Sequence, residues 1–166
     1  FGYLAQLISE HGALPAIQLG HAGRKASTQV PWQGRSYVPK EAGGWQTIAP
    51  SAIAYDENLG VPREMSREEI SQTIEQFARS AELAVRAGFK AIELHAAHGY
   101  LIHQFLTPAS NHRDDEWGGI YEGRTRFFKE VVRAVRSAIG DVPLFARISA
   151  TDWLAENFEE RDGGYG

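Results

Sequence analysis

Apolar residues recur along this chain in two rhythms that alternate. Leu4, Leu7 and Ile8 share one side of a helix predicted over residues 1–11, with Gly12 as its stop. Ser66-Arg-Glu-Glu69 has the spacing of a capping box, which opens a second helix. That helix carries Ile70, Ile74, Phe77, Ala81 and Ala84 on one face and ends near Gly88. Phe127, Phe128, Val131, Val132, Val135 and Ile139 mark a third, stopped at Gly140. Between the helices, the period drops to two. Residues 14–20, 90–95 and 143–149 read as strands, the first with Pro15 at its start, where a missing N–H is tolerated.

Helix, strand, helix, strand, helix, strand is the order of βαβ units and a parallel sheet. The strand faces narrow the choice. Ile17 and Leu19 oppose Gln18; Ile92 and Leu94 oppose Glu93 and His95; Leu144, Ala146 and Ile148 oppose Arg147 and Ser149. A doubly wound sheet, covered on both faces, should show nearly continuous apolar runs. One apolar and one polar face per strand suits a barrel, with helices outside and the polar side towards the axis. A half-solvated antiparallel sheet would alternate similarly, but the intervening helices argue against it. The expected fold is therefore α/β, a (β/α)8 TIM barrel represented by about three βα units.

Composition changes this picture little. The chain has 166 residues, 43% apolar and 23% charged, which is ordinary globular material. A net charge of −4 gives no reason to invoke nucleic acid or an anionic membrane. No apolar run approaches the roughly 20 residues of a membrane span. With no cysteine, disulfides and thiolate metal sites are excluded, and a cytoplasmic location is expected. The chain opens on Phe1, has Met65 as its only methionine and closes on Asp162-Gly-Gly-Tyr-Gly166, so it reads as an internal piece of something longer.

Chemistry concentrates after the second strand, in His95-Ala-Ala-His98-Gly-Tyr100. Residues three apart on an unbroken strand point opposite ways, so the two imidazoles converge only if the strand stops near His95 and the backbone turns. Five of the six histidines (His21, His95, His98, His103 and His112) lie at or beyond the ends of the first two strands. His103 and His112 read as structural or solvent-facing. Taken alone, Gln18 reads more readily as a satisfied core amide than as a ligand contact, and Arg147 as a partner for Glu93, a role that leaves a functional one open. Two chemistries could use the His95–His98 pair. Neutral imidazoles bind zinc, as in metal-dependent barrel hydrolases, although that needs further ligands from other strands. The pair could instead donate to a carbonyl oxygen on which negative charge develops, with Tyr100 as general acid. That chemistry needs a bound source of hydride. Gln18 and Arg147 match the polar edge of a flavin ring. Between the strand-one histidine and Met65 lie about forty-five residues with Trp32, Tyr37, Trp45 and Tyr55. Structureless connections longer than about 15 residues are usually functional or disordered. The aromatics favour an ordered cap over the mouth.

Several blocks carry a family resemblance: Ile17-Gln-Leu-Gly-His-Ala-Gly-Arg-Lys-Ala26, His95 to Tyr100, Ser110-Asn-His-Arg-x-Asp115-x-x-Gly-Gly119 and Phe145-Ala-Arg-Ile-Ser-Ala-Thr-Asp152. Together they resemble the Old Yellow Enzyme family of FMN-dependent ene-reductases on a (β/α)8 barrel. Gly44 to Ala54 resembles the bacterial branch with NADPH dehydrogenases and xenobiotic reductases. The resemblance implies that Gln18 and Arg147 bind the flavin. It implies that His95 and His98 hold the substrate carbonyl, and that Tyr100 protonates the α-carbon. It further implies hydride passing from NADPH or NADH through FMN to the C=C bond of an activated small-molecule alkene, with no metal, and it allows a homo-oligomer. The match corresponds to strands three to five, so residues 1–166 would be the central part of one FMN-binding domain, truncated at both ends. Alone, such a piece is expected to be neither a stable barrel nor a competent flavin binder. Family members usually have Asn-Arg where this chain has Gly123-Arg124.

Overall fold

The computed structural model describes residues 1–152, and the closing Asp162–Gly166 stretch lies outside the described residues. Helix α1 spans Gly2–Glu10 and strand β1 Ala16–Leu19. After a long connection come the two-residue strands β2 (Ile48–Ala49) and β3 (Arg63–Glu64), which pair in parallel. Helix α2 (Arg67–Arg86) leads into β4 (Ala91–Ala96). A short helix α3 (Leu101–Leu106), helix α4 (Tyr121–Ile139) and β5 (Leu144–Ile148) complete the described chain.

The main sheet is parallel, in the order β1-β4-β5. Its register aligns Gln18 with Glu93, Leu19 with Leu94 and Ala146, and His95 with Arg147. Partnered residues in a parallel ladder share a face, so the register sorts the strands as the alternation predicts. Ile92, Leu94 and Ala96 lie in the core under α2 and α4, with Ile17, Leu19 and Leu144 packed against it. Gln18, Glu93, His95 and Arg147 occupy the opposite face. Phe145 shares that polar face and is exposed.

The three predicted helices form where the sequence places them. At α2, Ser66 Oγ accepts from Glu69 N–H at 3.2 Å, and the Glu69 carboxylate accepts from Ser66 N–H at 2.8 Å. Both halves of the capping box are therefore made. Ile70, Phe77, Ala81 and Ala84 are buried, and the chain leaves the helix through Gly88 at φ +104°, a conformation costly for a side-chain-bearing residue. On α4, Phe127, Val131, Val135 and Ile139 are buried. Phe127 stacks on Phe105 of α3 with ring centroids 4.3 Å apart. Burying an aromatic side chain of this kind contributes about 1.5–3 kcal/mol. Gly123 lies against the backbone of Gly118, where any Cβ would overlap the Gly118 carbonyl. The local packing has no room for an asparagine there.

The connection from β1 to α2 is ordered by specific bonds. It contains three short 3-10 turns, Gly23–Lys25, Pro31–Gln33 and Lys40–Ala42. Ser27 Oγ donates to Val38 O at 2.7 Å and accepts from Trp45 N–H at 3.0 Å, while Tyr37 Oη donates to Trp45 O at 3.1 Å. Farther along, Arg113 is a buried hub. Its guanidinium donates to Pro50 O (3.0 Å), Met65 O (2.8 Å) and the Asp115 carboxylate (2.9 and 2.7 Å). Asn111 Nδ2 donates to Phe105 O and Trp117 O, each at 2.8 Å. The Ser110–Asp115 block thus ties the segment before α4 to the segment before α2.

Candidate functional site

β4 runs one residue beyond the predicted stop, to Ala96, and the turn falls at Ala97–Gly99. His98 and Gly99 both take positive φ, +57° and +69°. This reversal brings the second imidazole back over the strand end. The His95 and His98 ring centroids are 5.1 Å apart at 74°, and Tyr100 lies 4.8 Å from His95 at 58°. The three groups predicted to converge do so. Tyr100 also serves as the N-cap of α3, a short helix that no amphipathic period announces in the sequence.

The two histidines sit in different surroundings. His95 is only 7% exposed, and its Nδ1 is buried with no hydrogen-bond partner among the described residues. An orphaned buried nitrogen costs about 1–3 kcal/mol, and this one is left available to a hydrogen-bond partner from outside the described residues. Burial, then electrostatic interaction with the neighbouring His98 and Arg147, holds the His95 pKa below the ordinary 6.5. The ring is therefore neutral at pH 7. Gly20, at the end of β1, lies flat against it: a Cβ there would come within 3.2 Å of His95 Cβ. His98 is exposed, but its backbone is held. Its N–H donates to Ser149 Oγ at 3.1 Å, and its carbonyl accepts from Lys25 Nζ at 3.0 Å.

Gln18 and Arg147 flank His95 on the polar face. Gln18 Nε2 donates to Glu93 Oε1. Arg147 does not pair with Glu93 and has no ion pair among the described residues, so the pairing weighed from sequence is replaced by Gln18–Glu93. An amide with spare donor and acceptor capacity, and a guanidinium without an ion pair among the described residues, lie either side of an orphaned imidazole and fit the polar edge of a flavin. No group of three or more His, Asp or Glu side chains among the described residues is arranged as metal ligands, so the hydrolase alternative finds no ligand set there.

Beside the histidines opens a cleft of about 630 Å³, a usual size for small-molecule sites. Arg24, Lys25, Tyr55, His98, His103 and Asp152 line it. Lys25 Nζ lies 4.3 Å from the Tyr55 ring centroid. The aromatic that the long connection brings to the mouth is thus Tyr55. Trp45 is exposed and bonded to its own loop. Sequence reading also set aside His103 and missed Gln104. His103 Nδ1 accepts from Gly99 N–H at 2.8 Å, and its Nε2 lies 2.7 Å from Asp152 Oδ1. Gln104 is fully buried and bonded to two loops. No sequence signal marks Gln104, because α3 has no amphipathic period to set it on a face. His112 offers Ser51 a backbone N–H at 2.9 Å, and His21 Nδ1 accepts from Gly23 N–H at 3.0 Å.

Residues 1–163 match the NADH:flavin oxidoreductase / NADH oxidase family. The chain belongs to this family. It is 43% identical over 162 residues to an NADPH dehydrogenase of Bacillus subtilis (strain 168), covering 98% of this chain and 43% of that protein. An NADPH dehydrogenase of Geobacillus sp. (strain WCH70) is 46% identical over 159 residues, 96% of this chain and 42% of the relative. Among solved structures, the Old Yellow Enzyme homologue from Zymomonas mobilis superposes with a TM-score of 0.75 at 33% identity, covering 89% of this chain and 41% of that one. Morphinone reductase in complex with tetrahydroNAD gives 0.75 at 31% identity, over 90% and 42%. The resemblance read from the blocks is correct, and the parallel sheet with its outer helices is a portion of the family's (β/α)8 barrel. The chain spans under half the length of these relatives. The family's cofactor is FMN, with a nicotinamide as reductant. Among the described residues, no helix is long and apolar enough to cross a membrane.

Proposed function

We propose that this chain forms strands three to five of a single FMN-binding barrel domain, and that the complete barrel reduces the C=C bond of activated alkenes such as enones at the expense of NAD(P)H. The convergence of His95, His98 and Tyr100 at the end of β4, beside the Gln18–Arg147 face, carries this reading. FMN, when bound, supplies the redox centre between nicotinamide and alkene. Gln18 and Arg147 would hold its polar edge, the guanidinium contributing a positive charge beside it. His95 and His98 donate hydrogen bonds to the substrate carbonyl oxygen and stabilise the negative charge that develops there as the β-carbon is reduced. The neutral state of His95 suits a donor that must not surrender its proton. Tyr100, the N-cap of α3, holds the proton delivered to the α-carbon.

The complete protein should purify yellow, be bleached by NADPH or NADH and recover its colour on addition of an enone. Tyr100→Phe should leave reduction by the nicotinamide intact and slow recovery by the enone. A colourless protein that yields a stoichiometric metal would overturn the reading. Equal damage to both half-reactions by Tyr100→Phe would remove the proton-donor role.

A further inference from the structure

The turn that carries the site is held by side chains that play no part in the reaction described above. Gly99 sits between His98 and Tyr100, so the orientation of its two peptide units fixes where both side chains start. Each polar atom of Gly99 has one partner, and both partners come from the next turn of α3. Gly99 N–H donates to His103 Nδ1 at 2.8 Å, and Gly99 O accepts from Gln104 Nε2 at 2.7 Å.

Those partners are themselves anchored in other loops of the mouth. Gln104 Nε2 also donates to Ala22 O at 3.1 Å, and its Oε1 accepts from Arg24 N–H at 3.2 Å. Gly23 packs directly on this amide, where a Cβ would overlap Oε1. His103 Nε2 meets Asp152 Oδ1 at 2.7 Å, and both side chains are nearly buried. Burial opposes ionisation of Asp152, but hydrogen bonds from His103 and Thr107 outweigh it and hold the carboxyl below its ordinary range. A ring nitrogen that accepts from a backbone N–H carries no proton. His103 is therefore the Nε2–H tautomer, with Nδ1 aimed at Gly99 and the proton at Asp152.

We propose that His103 and Gln104, with Asp152 behind His103, are positioning residues. They clamp the Gly99 peptides and so set His98 and Tyr100 against His95, locking the loops after β1, β4 and β5 together. This rests on the reading of His95, His98 and Tyr100 as the substrate-binding group. The physical need is plain: His98 holds φ +57°, a left-handed conformation costly for a residue with a side chain, and surroundings must over-determine it for it to persist.

The test uses the complete flavin-loaded enzyme and two matched pairs of variants. Asparagine carries an acceptor as many bonds from Cβ as Nδ1, so His103→Asn keeps the bond to Gly99 whereas His103→Leu removes it. Asp152→Asn keeps an acceptor for His103 whereas Asp152→Ala does not, and this loop position lies outside the apolar core should His103→Leu fail to fold. Flavin content, thermal midpoint, the affinity for a simple phenol read from flavin absorbance, and the two half-reaction rates are measured for each. His103→Leu and Asp152→Ala should retain flavin yet weaken phenol binding and slow alkene reduction, by up to about 10²-fold, the cost of an ångström-scale misplacement. Asp152→Asn should recover most of that loss, and His103→Asn, which keeps the bond to Gly99 but not the one to Asp152, should fall measurably closer to wild type than His103→Leu. Leu and Ala variants with wild-type phenol affinity and rates would overturn the proposal. So would Asn variants as impaired as their partners. A wild-type enzyme that binds no flavin or no phenol would instead overturn the underlying functional reading.

Discussion

Replacing the two histidines one at a time separates their roles, because the fold treats them differently. His98→Ala removes an exposed ring and leaves its backbone bonds to Ser149 and Lys25 in place. Its cost to folding should be small, and its cost to chemistry should be one carbonyl donor. Losing such a donor typically raises the barrier by about 2.7–4 kcal/mol, or about 10²–10³ in rate. His98→Asn is the matched control: asparagine tolerates positive φ and offers an amide N–H₂, so it should keep the larger part of the rate. His95→Ala should cost the same kinetically but also lower the thermal midpoint, since it empties a buried position between Gly20 and Tyr100. The loss is softened because the orphaned Nδ1 disappears with the ring. With both rings gone, the rate should fall by less than the product of the single losses, as the proposed donation of both to one oxygen requires. Stopped-flow measurement of enone reduction by the pre-reduced complete enzyme, with flavin content checked, reads all of this. Either alanine variant within about threefold of wild type would refute the shared-oxygen argument.

The remaining predictions are independent of that oxygen. The Arg113 guanidinium holds the Asp115 carboxyl down at about 2, against an ordinary 3.8, so the pair's contribution is present above pH 3.8 and lost as pH falls through about 2. Asp115→Asn should cost about 2 kcal/mol at pH 7 in denaturant unfolding, and the gap to wild type should close in acid; a gap independent of pH would refute it. Burial keeps His95 neutral below pH 6.5, so an NMR titration should find its midpoint under that value. Since the unfolded chain takes up that proton first, stability should decline as pH falls below 6.5; a midpoint at or above 6.5 would contradict the burial argument. Tyr55→Ala should change the ranking of enones across a substrate panel while Trp45→Ala leaves it alone, because only Tyr55 lines the cleft beside His98.

Which parts could be read from the sequence follows from the range of the interactions involved. The α2 capping box, the apolar faces of α2 and α4, and the two faces of β4 are local patterns with periods of 3.6 and 2. They survived because the tertiary packing agrees with them. The convergence of His95, His98 and Tyr100 was legible for a different reason: only a turn could bring the pair together, and small residues at 96, 97 and 99 allow one. Helix α3 was missed because its six residues are all apolar or uncharged and five are buried, so no amphipathic period exists to see. The Gln18–Glu93 bond lies across the sheet, between residues 75 apart in sequence, where composition and spacing have no reach.

The same distinction explains why α3 matters more than its length suggests. A reactive turn at a strand end has few ways to be rigid: its own residues must stay small and unencumbered to admit a flat ligand, as Ala96, Ala97 and Gly99 are. Rigidity must then come from polar atoms brought in from outside the turn. A helix starting at once after the turn returns its side chains four and five positions later over the two peptide groups that flank Gly99. His103 and Gln104 occupy those two positions, one meeting Gly99 N–H and the other its carbonyl. Helix geometry here solves a problem of site geometry. Neither residue could serve if α3 began one residue later, because both would rotate about 100° from the turn. An insertion of one alanine between Tyr100 and Leu101 should therefore weaken phenol binding as strongly as His103→Leu while keeping the flavin, and retained phenol affinity in that variant would show that the turn holds itself.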